Sequence, residues 1–267
     1  MGREIVKHRN RLNLILLKKF NVQETNILFA LFSKLKEKGT ENVTFNAKKL
    51  AELANFSQHP SRFKTELDKI STNLLGILAY TDDGDTIEKF SVFNRYQYKR
   101  STNTVTISVN PHFKNLFNQL KDNFTRFYLS ELTHLRSTYA KSMFRLMKQY
   151  HDTRHIEIKI TDLYKALAIP NSYRTNDINR RIIKPIKKEL EPLFGKISFK
   201  KIIKGGTLKR AKKVTGYRIR WEHDSQIIER PFIKQKENAL KIGMEKKVKS
   251  TSNDKARQVL DDYKNNK

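Results

Sequence analysis

Residues 155–170 read HIEIKITDLYKALAIP, and this stretch decides the fold. Polar and apolar residues alternate in HIEIKI, which is typical of a β-strand, and leucines then recur at helical spacing until Pro170. Thr161 is the predicted N-cap of the short helix. An earlier stretch at 41–56, ENVTFNAKKLAELANF, has the same build, with Asn46 as its predicted N-cap. The chain therefore carries one structural unit twice.

The same order of elements surrounds both copies. In the first half, the apolar periodicities predict a helix at 22–38 before the copy and a helix at 60–74 after it. Three strands are predicted to follow, at 77–81, 88–100 and 103–109. In the second half, the corresponding helices are predicted at 137–151 and 176–190, and the corresponding strands at 196–204 and 214–221. Helix, strand, helix, helix, hairpin is the order of a winged helix, in which two helices form a helix-turn-helix and the hairpin is the wing.

We therefore predict an α+β fold of two tandem winged-helix domains followed by a basic, mostly disordered C-terminal tail. The N-terminal winged helix is predicted at 1–122, because Asn110-Pro111 ends a strand and a short bridging helix follows it. The second winged helix is predicted at 123–222. The Lys-rich tail is predicted at 223–267, where the apolar periodicity fades.

Charge indicates the class of partner. The chain has 55 Lys and Arg against 27 Asp and Glu, a formal net charge of +28 and a pI of about 10.1. Positive charges in such excess repel one another in a compact protein, and this favours a polyanion as the partner. The chain has no Cys, which excludes disulfides and zinc fingers and fits a reducing cytoplasm. Since no apolar run approaches the roughly 20 residues that span a bilayer, no membrane association is predicted.

The strongest candidate for DNA contact is RTNDINRRIIKPIKKEL at 174–190. On a helix, Ile178, Ile182 and Ile186 face the core and the basic residues lie outside. Arg and Asn can read guanine and adenine edges, and Lys suits phosphates. The predicted contacts are Arg174, Thr175, Asn176, Asn179, Arg180, Arg181, Lys184, Lys187 and Lys188. The alternative is a solvated helix face, but such a face mixes charge signs, and here Asp177 and Glu189 are the only acids. Pro185 is expected to kink or divide the helix.

Two further surfaces could contact DNA. The wing of the second half, KGGTLKRAKK, offers Lys204, Lys209, Arg210, Lys212 and Lys213, unless it is a mobile basic loop with no role. In the first half the candidates are Ser61, Arg62, Lys64, Thr65, Arg95, Lys99 and Arg100. The mixed charges there leave a structural role as a dimer interface as a serious competitor.

No catalytic, metal or cofactor site is predicted. The chain lacks a phosphate loop, a G-x-G-x-x-G pattern and the His-x-His pair that rolling-circle nicking enzymes use for a metal. His151 and His155 are four residues apart, but a strand is predicted to begin at His155. The TDDGD stretch at 81–85 is interpreted as a turn. We therefore predict that the protein is not an enzyme.

Several stretches resemble the initiator replication (Rep) proteins of iteron-type, theta-replicating plasmids. They are IVKHRNRLN at 5–13 with VQETNILFALF at 22–32, LRSTYAKSMFRLMKQY at 135–150, and the long stretch 158–192 that contains the helix-turn-helix. The similarity covers about residues 4–222. The Lys-rich tail departs from the family pattern.

The resemblance implies an initiator whose second winged helix binds directly repeated origin sites through residues 176–188. It implies a first domain that adds DNA contacts in the monomer and forms the interface of a homodimer. Monomers would help to recruit the host initiator and the replicative helicase, and dimers would bind an inverted repeat and repress the initiator's own gene. The family has no catalytic site. The alternatives are a winged-helix transcription repressor without a replication role and, less favoured, a nicking replication endonuclease.

Overall fold

The computed structural model describes residues 4–14, 20–36, 38–57, 59–82, 85–118, 120, 123–204 and 213–224. All of them belong to one compact unit, Met1–Gln226. The predicted tail falls almost entirely outside these residues. Within the described ranges, no helix combines the length and hydropathy that a bilayer-crossing segment needs.

In the described first half the elements are β1 (Ile5–Arg9), α1 (Val22–Leu35), β2 (Val43–Asn46), α2 (Ala47–Leu53), α3 (Pro60–Leu75), β3 (Leu78–Asp82), β4 (Ile87–Ser91), β5 (Phe93–Lys99) and β6 (Thr104–Val109). In the described second half they are β7 (Phe124–Tyr128), α4 (Leu129–Thr133), α5 (Thr138–Gln149), β8 (His155–Lys159), α6 (Ile160–Leu167), α7 (Thr175–Asp177), α8 (Lys184–Phe194), β9 (Ser198–Lys204) and β10 (Lys213–Arg220). Short 3₁₀ turns occupy Asn10–Leu14 and Pro111–Leu116.

The predicted winged-helix order is confirmed twice. In the first half, α1, β2, α2, α3, β5 and β6 follow one another, and the antiparallel sheet has the order β2-β6-β5. In the second half, α5, β8, α6 and the helical stretch from α7 to α8 lead to β9 and β10, with the sheet order β8-β10-β9. The last strand thus lies between the other two in both copies. The chain is therefore a tandem winged-helix protein of the α+β class.

Local capping explains where these elements begin, and it corrects one prediction. The Asn46 side chain accepts hydrogen bonds from Lys48 N and Lys49 N, as predicted for the N-cap of α2. Thr161 does not cap α6, because that helix already begins at Ile160 and its N-cap residue, Lys159, makes no side-chain cap bond. Strand β8 therefore ends at Lys159, one residue earlier than the predicted strand at 155–160.

An additional hairpin lies within the first winged helix, between α3 and β5. β3 and β4 pair with each other, from Leu78 opposite Ser91 to Asp82 opposite Ile87. The sequence predicted a single strand over 88–100, but Val92 divides it: its N–H donates to Ile77 O at 2.8 Å, and β5 begins a new pairing with β6. This hairpin has no counterpart among the described residues of the second half.

A single hydrophobic core runs through both winged helices. A chain of aromatic rings, with neighbouring centroids 5.1–6.4 Å apart, passes through Phe93, Phe32, Phe29, Phe127, Phe144, Phe194 and Trp221. Strand β1 also pairs with β7, so the start of the chain is bonded to the start of the second half. The boundary at 122/123 remains a prediction, and across it the apolar packing is continuous.

Residues 175–194, which we call the basic helix, form one continuous helical stretch with a π-helical turn at Ile178–Ile183. In that turn, the Lys184 N–H reaches back five residues to Asn179 O. Pro185 follows immediately and has no N–H to donate. The helix thus meets the proline with a change of hydrogen-bond register, and the helical stretch continues through this position without the division that was one of the two expected outcomes.

Candidate nucleic-acid interface

The turn between α6 and the basic helix is held by backbone and tyrosine hydrogen bonds. Ala168 ends α6 in the left-handed conformation, and Ile169 N donates to Tyr164 O at 2.9 Å. The Tyr164 hydroxyl donates to Tyr173 O at 3.1 Å across the turn. These bonds fix the angle at which the basic helix leaves α6, as a helix-turn-helix requires.

The basic helix separates an apolar face from a basic one. Ile178, Ile182 and Ile186 are 2%, 1% and 0% exposed, as the predicted core stripe requires. The candidate contacts that are exposed on the other side are Arg174, Asn176, Asn179, Arg180, Arg181, Lys184 and Lys188. Lys187 is half-buried and lies 3.3 Å from Glu191, while the side chain of Thr175 lies outside the described residues. The helix therefore presents one nearly uniform row of cations and amides to solvent.

Asp177 organises the two central arginines. Its Oδ1 lies 3.6 Å from Arg180 Nη2 and 3.4 Å from Arg181 Nε, and its Oδ2 accepts from Arg174 N at 3.2 Å. Exposed ion pairs of this kind are worth little, about 0–1 kcal/mol. Both guanidinium groups can therefore exchange the carboxylate for a phosphate or a base edge at small cost.

Arg181 has a second constraint. Its Cζ lies 5.4 Å from the Tyr173 ring centroid, within cation–π distance. A hydrogen bond with Tyr173 raises the pKa of Arg181 further above its ordinary value, so the charge is permanent. Arg180, whose side chain is 70% exposed, has only the Asp177 contact among the described residues and is the freer of the two.

Glu189, the second acid of residues 174–190, faces the protein. Its Oε2 accepts from Arg136 N at 2.6 Å and from Ser137 N at 3.2 Å, at the beginning of α5. A carboxylate at a helix N-terminus satisfies backbone donors and complements the helix dipole. Glu189 therefore attaches the basic helix to α5 and does not place its carboxylate among the exposed cations.

The first winged helix has a sparser set of candidates. Exposed residues at the start of α3 and along the β5–β6 hairpin are Ser61, Arg62, Lys64, Thr65, Arg95, Lys99 and Arg100. His59 caps α3 and accepts from Ser61 N at 3.4 Å. Asp68 is also exposed on this helix, so its surface mixes signs. Both proposed roles of this half, DNA contact and dimerisation, are compatible with that exposure.

The wing of the second half is the third candidate surface. Lys209, Arg210 and Lys212 lie outside the described residues. Lys204 ends β9 and Lys213 begins β10, where they pair across the sheet, and their side chains are not described. The wing contacts remain predictions.

Sequence reasoning missed a set of buried cations in α5. Lys141, Arg145 and Lys148 are 1%, 2% and 1% exposed. Lys148 is paired with Glu131 at 3.2 Å and Asp224 at 2.5 Å. Their spacing of four and three residues places them on one helix face, which was the available signal. Among the described residues, no group of three or more His, Asp or Glu could hold a metal ion.

Two winged helices, one carrying an exposed basic helix, define the class of protein as a tandem winged-helix, nucleic-acid-binding type. The family models narrow this class. "Initiator Replication protein, WH1" matches residues 5–148, and "Initiator Rep protein, WH2" matches residues 159–221. The chain therefore belongs to the initiator replication protein (Rep) family.

Relatives support the same assignment. A protein of Bifidobacterium longum (strain NCC 2705), described as "Probable replication protein rep", is 33% identical over 200 residues, which are 73% of this chain and 67% of that protein. The crystal structure of the Pi initiator protein in complex with iteron DNA is similar with a TM-score of 0.66. It is 15% identical, and the match covers 85% of this chain and 100% of that one. That likeness supports the fold.

Proposed function

We propose that this protein initiates replication of a plasmid by binding directly repeated origin sites, the iterons, in double-stranded DNA. The observation that carries the proposal is the basic helix, which holds exposed Arg and Asn side chains on a fully buried isoleucine stripe. Membership of the Rep family and the fold shared with an initiator that was crystallised with iteron DNA support it.

Each part of the basic helix has a proposed role. The major groove admits an α-helix, and Arg and Asn can each form paired hydrogen bonds to a purine edge. Arg180, Arg181, Asn176 and Asn179 are therefore the proposed base contacts. Lys184, Lys187, Lys188, Arg174 and Thr175 are the proposed phosphate contacts, which fix position without reading sequence. No step of this function needs a catalytic group, a metal or a cofactor.

The remaining candidates extend the footprint. Lys204, Lys209, Arg210, Lys212 and Lys213 of the second wing would contact the backbone beside the helix. Ser61, Arg62, Lys64, Thr65, Arg95, Lys99 and Arg100 would contact a neighbouring segment of the same repeat. A charge of +28 would speed the approach of the protein to DNA.

The proposed cellular setting is the bacterial cytoplasm. There, monomers on the direct repeats would help to recruit the host initiator and the replicative helicase. Homodimers, formed through the first winged helix, would bind an inverted repeat and repress the protein's own gene. The basis of this part is the resemblance to the family together with the mixed surface of α3.

A nuclease footprint on the DNA next to the gene tests the proposal. Protection of several tandem repeats beside an AT-rich segment is the expected result. Protection of a lone palindrome would support a transcription repressor without a replication role. Incubation with supercoiled origin DNA and a divalent metal ion tests the nicking alternative, which relaxed DNA with protein attached to its 5′ end would establish.

A further inference from the structure

A polar pocket lies where the start of α1, one face of α5 and the end of α6 meet. It has a volume of about 200 Å³, and Phe20, Thr25, Thr138, Lys141, Ser142 and Arg145 are among the residues that line it. Two cationic residues thus line one pocket, and none of its described lining residues is an Asp or a Glu.

Arg145 is the first unusual feature of this pocket. The residue is 2% exposed, and its Nε has no hydrogen-bond partner in the described part of the chain. Its Cζ lies 5.3 Å from the Phe29 ring centroid, so a ring covers one side of the guanidinium. Burial lowers the pKa of Arg145 to about 10, and in the part of the chain that the structure describes no carboxylate offsets this effect. An isolated buried cation is costly unless an anion accompanies it.

Lys141, one helical turn earlier, is in a similar position. Its Nζ donates to Asn26 Oδ1 and to Leu132 O, each at 2.6 Å, and both acceptors are neutral. Burial lowers the pKa of Lys141 to about 7, although Glu189 acts in the opposite direction. Since burial disfavours the charged form of both residues, an anion bound between them would stabilise both charges.

Hydroxyl donors complete the pocket. Thr138 and Ser142 lie on the same face of α5, and within the described ranges neither side chain makes a hydrogen bond. The first turn of a helix also favours negative charge. Guanidinium, ammonium and hydroxyl groups together are the donors that proteins use for phosphate.

We propose that this pocket binds a small phosphate-class oxyanion through Arg145, Lys141, Thr138 and Ser142. The anion could come from free phosphate, a phosphorylated metabolite or the DNA backbone. The near-complete burial of both cations favours a small free anion, because a duplex backbone would have to enter the protein to reach them.

Thermal unfolding of the full-length protein with inorganic phosphate tests the site. Ionic strength is held constant with chloride, since a protein of this charge binds anions weakly over its whole surface. The melting temperature is expected to rise in a saturable manner, by about 5 °C at a phosphate concentration of roughly 100 times Kd. The proposal is overturned if phosphate gives no rise relative to chloride and Arg145→Met also leaves the salt dependence of DNA binding unchanged.

Arg145→Met is expected to abolish the phosphate effect. Arg62→Met, which removes one exposed arginine and the same charge, is the matched control and should retain it. Ser142→Leu fills the pocket while keeping both cations, and it should also abolish the effect, so the test holds even if Arg145→Met does not fold. An equal phosphate response in Ser142→Leu and the wild type overturns the site.

DNA binding in phosphate-free buffer identifies the source of the anion. If the anion is free phosphate, Arg145→Met binds the repeats with an unchanged salt dependence. If the anion is a DNA phosphate, the slope of log K against log salt falls by roughly one unit in Arg145→Met, while free phosphate alone gives no melting shift. The second outcome retains the oxyanion site and assigns its anion to the backbone.

Discussion

His8 shows how one side chain makes stability depend on pH. It is fully buried among Phe29, Phe32 and Phe127, and its Nδ1 donates to Arg9 O at 2.9 Å. Burial in this apolar site lowers the pKa of His8 from 6.5 to about 4. The histidine is therefore neutral in the folded protein at neutral pH.

We expect the free energy of unfolding to fall as the pH drops from about 6.5 to about 4. In that range the unfolded chain takes up a proton at His8 and the folded protein does not, which favours unfolding by up to about 1.4 kcal/mol per pH unit. Urea titrations at several pH values measure this slope. His8→Leu should flatten it relative to the wild type, while exposed His155→Gln should not. Equal slopes in the wild type and His8→Leu would contradict the assignment.

For individual residues, the sequence predicted the roles that depend only on neighbouring residues in the chain. Asn46 was identified as a cap because its side chain needs only the next few backbone N–H groups. Lys141 and Arg145 were missed because their burial depends on contacts with residues outside α5, which are Asn26, Phe29 and Leu132. The exposure of Arg180 followed from the isoleucine stripe behind it, but whether it contacts a base stays a prediction.

Among the secondary-structure elements, the basic helix owes its attachment to Glu189. We expect Glu189→Ala to lower the free energy of unfolding by about 1–2 kcal/mol, because two N–H groups at the start of α5 lose their acceptor. Lys188→Ala, an exposed neighbour on the same helix, is the matched control and should change stability by less than about 0.5 kcal/mol. Chemical denaturation measures both. Equal stability of the two variants would mean that solvent replaces the carboxylate without loss.

The wing of the second half is expected to contribute to DNA binding through electrostatic contacts with phosphates. We expect the Lys209→Ala/Lys212→Ala double variant to lower the slope of log K against log salt by about two units, roughly one for each DNA phosphate that is no longer neutralised. Fluorescence anisotropy with a labelled repeat at several salt concentrations gives the slope. Lys38→Ala, an exposed lysine outside the candidate surfaces, should leave the slope unchanged. An unchanged slope in the double variant would show that the wing does not touch the DNA backbone.

The order of the elements was predictable because each helix and strand has its own hydrophobic periodicity and is bounded by capping or turn residues. The two strands on either side of the TDDGD turn were predicted, and β3 and β4 do pair with each other. The division of the second strand at Val92 was not predicted, because it comes from the bond of Val92 to Ile77, which has no local signal. The π-helical turn was missed for a similar reason. Pro185 indicates a disturbance, but whether a helix kinks, ends or widens depends on the packing of Ile182 and Ile186.

For the whole molecule, the shared core predicts that the two winged helices unfold together. Phe144 is fully buried in the middle of the aromatic chain, and Phe144→Ala is expected to cost about 3–5 kcal/mol. Trp221, the single tryptophan, reports on the second half, while far-UV circular dichroism reports on both. The two signals should have one common midpoint in the wild type and a lower common midpoint in the variant.

The control for this prediction is Leu75→Ala, a half-exposed leucine at the end of α3, which should leave the midpoint nearly unchanged. Separate midpoints for the two signals would show that the halves are thermodynamically independent. In that case the continuous apolar packing would not couple them.

The central claim is that the exposed side of the basic helix reads base sequence. The most direct measurement compares the affinity of wild type, Arg180→Ala and Lys38→Ala for one origin repeat and for a random duplex of equal length. We expect Arg180→Ala to lose about 1–3 kcal/mol on the repeat and clearly less on the random duplex, with Lys38→Ala binding both as the wild type does. Equal losses of Arg180→Ala on both duplexes, or a wild type that does not distinguish them, would contradict it.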